Sequence, residues 1–263
     1  MAVGSQVTNE FKFRRLRRFN AVMCVLHLVQ AAAIFALSSD FSVSLTTAFF
    51  KWLPDIEEPA TVTETIYDLR LGPLVGVFLL ISAVAHFIMA SPFGFPWYVR
   101  NLKKNINYLR WYEYSLSASL MVVIIAMLSG VFDIPSLILM FVLTATMNFF
   151  GLMMELHNQT TEKTNWTSYT FGCIAGIAPW GIIAWYFFAA FASAEGTIPT
   201  FVYYILGSLF VLFFSFALNM ALQYKKVGPW KDYLFGERMY MILSLVAKSA
   251  LAWQVFGGTM ARG

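Results

Sequence analysis

A single lysine, Lys248, interrupts the apolar run Met239–Phe256 (MYMILSLVAKSALAWQVF). An ammonium near a bilayer centre costs at least ~2.5–3.5 kcal/mol on insertion scales. A lysine held there is paired, deprotonated or covalently modified, and a buried amine suits Schiff-base chemistry. Snorkelling to the interface is a poor alternative. Arg238 marks the polar end, and the ten residues from it to Lys248 span ~15 Å, about half of a ~30 Å hydrocarbon core. Ser244 stands four residues earlier, on the same helical face.

Three more ionisable residues fall at a comparable depth. Glu113 is nine residues beyond Lys104 and His27 nine beyond Arg18, each ~14 Å along a helix. His86 lies five residues before Ser91, where Pro92, Gly94 and Pro96 end an apolar run. Polar groups in hydrocarbon need partners, which favours one shared network over separate burials. Each residue also has a plainer use. Glu113 could pair with Arg110 at i, i+3, and either histidine could bond a backbone carbonyl. Ser244 and Ser117 are residue types common at helix contacts in membranes. Glu155 reads as a surface residue rather than a proton relay. Trp180, Trp185, Phe213 and Phe214 read as packing, or as the walls that a polyene would need.

The elements that must position these residues follow from composition. Of 263 residues, 59% are hydrophobic and 12% charged, against ~25% charged in an average soluble domain. Residues 1–263 therefore read as one all-α membrane domain with seven spans: approximately Asn20–Leu37, Pro73–Ala90, Asn105–Leu128, Pro135–His157, Trp166–Phe191, Pro199–Leu222 and Tyr233–Phe256. Cys24 and Cys173 fall inside spans and read as apolar packing residues rather than a disulfide. The long connection Ser38–Gly72 contains an alternating stretch, Thr61–Tyr67, that predicts a short β-hairpin or edge strand.

Charge asymmetry predicts the orientation. Lys12, Arg14, Arg15, Arg17, Arg18, Arg100, Lys103, Lys104, Lys163, Lys225, Lys226 and Lys231 fall on the N-terminal side, against Lys51, Arg70 and Arg262 on the other. The positive-inside rule then makes the N-terminus cytoplasmic, and the C-terminus and Ser38–Gly72 loop external. The sequons at Asn158 and Asn165 fall in a cytoplasmic loop and read as chance matches. The basic residues sit in loops flanking spans, so the net charge of +4 does not point to nucleic acid.

Seven spans, a lysine midway along the last and a carboxylate in the third resemble a retinal-binding rhodopsin. The reversed orientation, the basic N-terminus, the long external first loop and the terminal Ser244-Leu-Val-Ala-Lys248-Ser-Ala-Leu-Ala-Trp253-Gln254 resemble heliorhodopsins. His27, His86, Arg110, Glu113, Ser244 and Lys248 match that family's Schiff-base region. The resemblance implies all-trans-retinal on Lys248 as a protonated Schiff base, with Glu113 as counterion. Ser244, Ser117, Met121, Trp180, Phe213 and Phe214 would line the chromophore, and His27, His86 and Arg110 would form a proton network. It also implies a homodimer in the cell membrane.

Members of that family are generally regarded as light sensors, although some are thought to conduct protons. A pump needs acceptors on both sides of the Schiff base. The external half of the third span, Leu120–Leu128 (LMVVIIAML), offers none, and Ile124 stands eleven residues after Glu113. The expectation is a light-sensing or regulatory photoreceptor, with neither enzymatic activity nor a metal site. The alternative is a light-gated proton channel or proton-transporting rhodopsin. A transporter or ligand-gated receptor with a structural Lys248–Glu113 pair is a third reading, separable by the absence of a visible band.

Overall fold

Hydrocarbon offers no water to backbone N–H and C=O groups, and a helix satisfies them internally. The computed structural model describes residues 2–55, 57–193 and 199–260. Among the described residues, seven helices are long and apolar enough to cross a membrane. They lie within α1 (Ala2–Leu37), α2 (Leu71–Ala90), α4 (Tyr108–Leu128), α5 (Ile134–His157), α6 (Thr167–Ser193), α7 (Thr200–Tyr224) and α8 (Tyr233–Val255).

Two differences from the expected spans concern the N-terminal end of the bundle. The first apolar helix runs back to Glu10, ahead of the expected start at Asn20. Its Lys and Arg residues are good helix formers and continue it past the apolar stretch. Beyond α2 the chain does more than stop: a short helix, α3 (Gly94–Leu102), forms there. Ser91 Oγ accepts a hydrogen bond from Gly94 N at 2.9 Å, and Pro96 is tolerated in the first turn because no intrahelical partner is needed there.

Side-chain caps fix the starts of three site helices. Asn107 accepts from Arg110 N at 3.2 Å, Asp133 from Ser136 N at 3.1 Å and Asp232 from Leu234 N at 3.0 Å. The helices pack in sequence order, α1 on α2, α4 on α5 and α5 on α6, while α2 meets α4 and α7 meets α8. Contacts of α8 with α1 and α2 bring the last helix beside the first two. The core on the hairpin side is apolar, with Ile34, Phe78, Leu79, Ile124, Met127, Met140 and Leu251 buried together.

The hairpin is larger than the alternating stretch suggested. β1 (Ser42–Leu53) pairs antiparallel with β2 (Glu58–Arg70), so nearly the whole connection is sheet. Thr46 N donates to Phe132 O at 2.9 Å, tying the hairpin to the α4–α5 connection. Arg262, counted in the charge asymmetry, lies outside the described residues.

Candidate functional site

Lys248 projects from α8 into the bundle, with its side chain only 3% exposed. Its Nζ donates to Glu113 Oε1 of α4 at 2.6 Å and to Ser244 Oγ, one turn back on α8, at 2.9 Å. Glu113 Oε1 also accepts from Ser82 Oγ of α2 at 2.6 Å. The Tyr114 ring lies 5.1 Å from Nζ, close enough for its π face to favour the cation. Three helices thus converge on one buried ion pair. Ser82 was absent from the sequence reading, although it stands four residues before His86 on the same face of α2. Ser117, one turn beyond Glu113, is buried and its hydroxyl has no partner among the described residues.

His27 and His86 form a stacked pair, with ring centroids 5.6 Å apart and planes 8° from parallel. His86 Nδ1 lies 2.8 Å from Asn20 Oδ1, a residue that the sequence marked only as a span boundary. His27 is fully buried and neither of its ring nitrogens has a hydrogen-bond partner among the described residues. The expected network is therefore two groups. Ser244 bonds Lys248, and no hydrogen bond joins either imidazole to Ser244, Glu113 or Lys248 among the described residues.

Arg110 departs from expectation in two ways. It neither pairs with Glu113 nor joins the histidines. Its guanidinium lies between Glu155 of α5, at 2.5 Å, and Glu237 of α8. Two carboxylates approaching from facing helices offer better geometry than one on Arg110's own helix. Glu155, read as a surface residue, is 2% exposed. It accepts from Trp111 Nε1 at 2.6 Å, from Tyr233 OH at 2.9 Å and from Asn107 N at 3.1 Å. Glu237 accepts from Asn107 Nδ2 at 2.6 Å and from Tyr98 OH of α3 at 3.1 Å. Burial and the neighbouring Glu237 push the Tyr98 phenol well above its ordinary pKa, which keeps it a donor. Glu237 escaped the sequence reading because the seventh span is least apolar at its start.

An apolar cavity adjoins Lys248. Lys248, Ser244, Tyr114 and Met121 line it together with Trp180, Phe213 and Phe214. Trp180 packs edge-on against Phe213 at 5.4 Å and Phe210 at 5.5 Å, joining α6 to α7. Pro179 precedes that tryptophan inside α6, where it removes one backbone hydrogen bond. A buried primary amine opening onto an apolar, aromatic-walled cavity fits a polyene aldehyde in both reactivity and polarity. Trp185 is not part of the wall: it is 77% exposed on the outer face of α6. Ser117 is likewise absent from the cavity lining.

Residues 16–260 match the family model described as heliorhodopsin. No curated protein matches the chain. Among solved structures, the crystal structure of a light-driven proton pump from Leptosphaeria maculans is similar, with a TM-score of 0.59 at 17% identity. The likeness covers 92% of this chain and 94% of that one, and at this identity it concerns the fold alone.

Proposed function

Because this chain belongs to the heliorhodopsin family, and so is a light-responsive membrane protein with a retinal chromophore, we propose that it is a sensor rather than a pump. In this reading all-trans-retinal is joined to Lys248 Nζ, and the lysine nitrogen stands in for the nitrogen of the protonated linkage. The chromophore supplies visible absorption and a light-driven change of shape. The chain's residues set what that change disturbs.

Glu113 holds the negative charge opposite Nζ, at 2.6 Å. Ser82 keeps the same carboxylate oxygen aimed from α2, at 2.6 Å, and Ser244 fixes Nζ from α8, at 2.9 Å. A charge pair held this tightly in a low dielectric responds strongly to a small displacement. Tyr114 and the walls formed by Met121, Trp180, Phe213 and Phe214 orient the polyene and exclude water. The observation that carries the proposal is the buried cluster of Lys248, Glu113, Ser82 and Ser244, which meets this apolar cavity at Lys248 and Ser244.

The hairpin side of the bundle favours sensing over transport. From Met121 to Met127, α4 is apolar and mostly buried, with Ile124, Ile125 and Ala126 in the same apolar cluster as Leu251 and Ala252. No carboxylate or histidine occurs in the spans on the hairpin side of the Lys248 layer, among the described residues. Illuminated vesicles are therefore expected to show no sustained, protonophore-sensitive pH change. A steady photocurrent that reverses with the proton gradient would instead establish a light-gated proton channel.

The basic side of the bundle faces the cytoplasm, in a cell membrane, by the positive-inside rule. A homodimer is supported by the hairpin, whose Phe50, Trp52, Ile66 and Tyr67 are 55–78% exposed. The residues function as a single domain without enzymatic activity.

A further inference from the structure

The basic side chains at the N-terminal end of the bundle differ in whether they meet a carboxylate and whether they line a groove. Lys12 pairs with Asp232 at 2.9 Å, and Arg14 approaches Glu10 at 3.9 Å. Arg17 Nε donates to Ala90 O at 2.7 Å, and its guanidinium lies 4.9 Å from the Phe95 ring centroid. Arg15, Arg18 and Arg238 have no carboxylate within ion-pair distance among the described residues. These three line a single groove between α1 and α8.

The rest of that groove is apolar and runs toward the bilayer centre. Phe19 and Val22 continue it along α1, and Met239 and Ile242 along α8. From Arg15 to Val22 and from Phe235 to Ile242 the helices each advance ~10 Å, the scale of a headgroup and the first part of an acyl chain. Val22 is 52% and Ile242 40% exposed, so the floor opens to lipid. Arg238 Nε is engaged by Leu234 O at 3.3 Å and its guanidinium lies 5.7 Å from the Phe235 ring centroid; like Arg17 it is positioned by such contacts, but it lines the groove, with no carboxylate on its terminal N–H groups among the described residues. Guanidinium forks match phosphate geometry, and basic clefts between membrane helices recognise anionic headgroups.

We propose that this groove binds one anionic phospholipid, with its phosphate among Arg15, Arg18 and Arg238 and an acyl chain along Phe19, Val22, Met239 and Ile242. The occupant is a lipid rather than a free phosphate because charge and apolar surface are continuous in one cleft at the membrane boundary. Its binding couples the outer faces of α1 and α8, the helices that carry His27 and Lys248. The site is independent of the sensing proposal and rests only on the chain's place in a membrane.

The test uses the full chain in nanodiscs of phosphatidylcholine containing a small fraction of phosphatidylglycerol, with bound lipid counted by native mass spectrometry. The wild type is expected to retain one phosphatidylglycerol in preference to phosphatidylcholine. The triple variant Arg15→Gln, Arg18→Gln, Arg238→Gln is expected to bind it about a hundredfold more weakly, the change anticipated for three basic side chains at a membrane surface. The single variant Arg100→Gln, outside the groove, is expected to retain it. The replacement Val22→Asn with Ile242→Asn keeps the arginines, and is expected to weaken retention by disrupting the apolar floor. Equal retention by the wild type and the arginine variant would overturn the site. So would displacement of the lipid by inorganic phosphate at equal concentration, which would identify a free-phosphate site.

Discussion

Glu113→Gln is expected to move the visible absorption of the retinal-loaded protein to longer wavelength. The carboxylate lies 2.6 Å from Nζ and localises positive charge at the nitrogen end of the chromophore. With a neutral amide in its place, that charge spreads further along the polyene and the excitation energy falls. Ser82 and Ser244 remain as hydrogen-bonding neighbours, so the variant should still bind retinal. Among the described residues no other carboxylate touches Nζ, and Glu155 and Glu237 are both committed to Arg110. An unchanged spectrum and unchanged alkaline titration of the pigment would mean that Glu113 is not the counterion.

Arg110→Gln is expected to produce the largest loss of stability, on the order of 3–5 kcal/mol, the cost of breaking a buried ion pair by removing one partner. The substitution would leave Glu155 and Glu237 facing one another at 2% and 1% exposure, with only neutral donors between them. The guanidinium also lies 4.1 Å from the Tyr240 ring centroid and 4.6 Å from that of Trp111, and these contacts would be lost as well. The thermal bleaching midpoint of the pigment should fall sharply. Combining Arg110→Gln with Glu237→Gln removes one of the two uncompensated charges and their mutual repulsion, and should recover part of the loss. A bleaching midpoint unaffected by Arg110→Gln alone would contradict a structural role for the cluster.

The spans and the central ion pair were legible because hydrocarbon penalises their residues so heavily. A lysine in the middle of an apolar run, and a glutamate at matching depth on another, have few alternatives to meeting. Neutral polar residues carry a smaller penalty and a weaker signal. Ser82 and Asn20 belong to the site layer, yet serine and asparagine at helix contacts are too common to be singled out. Near the membrane boundary the penalty falls, because a charged residue there can reach water. That is why Glu155 read as a surface residue and Glu237 was passed over, while the fold buries both against Arg110. The short helix α3 supplies Tyr98 to that cluster and helps to cover it. Its start at Pro92, Gly94 and Pro96 signalled a break in the span but not the helix that follows.

The most direct test of the account is the absorption spectrum of the protein expressed with all-trans-retinal, compared between the wild type and Lys248→Ala. The wild type should carry a visible band that survives acid denaturation as a covalently attached chromophore. Lys248→Ala should fold into the membrane without that band, because it removes the amine adjoining the apolar cavity. A visible, covalently linked pigment retained in Lys248→Ala would contradict the account at its centre.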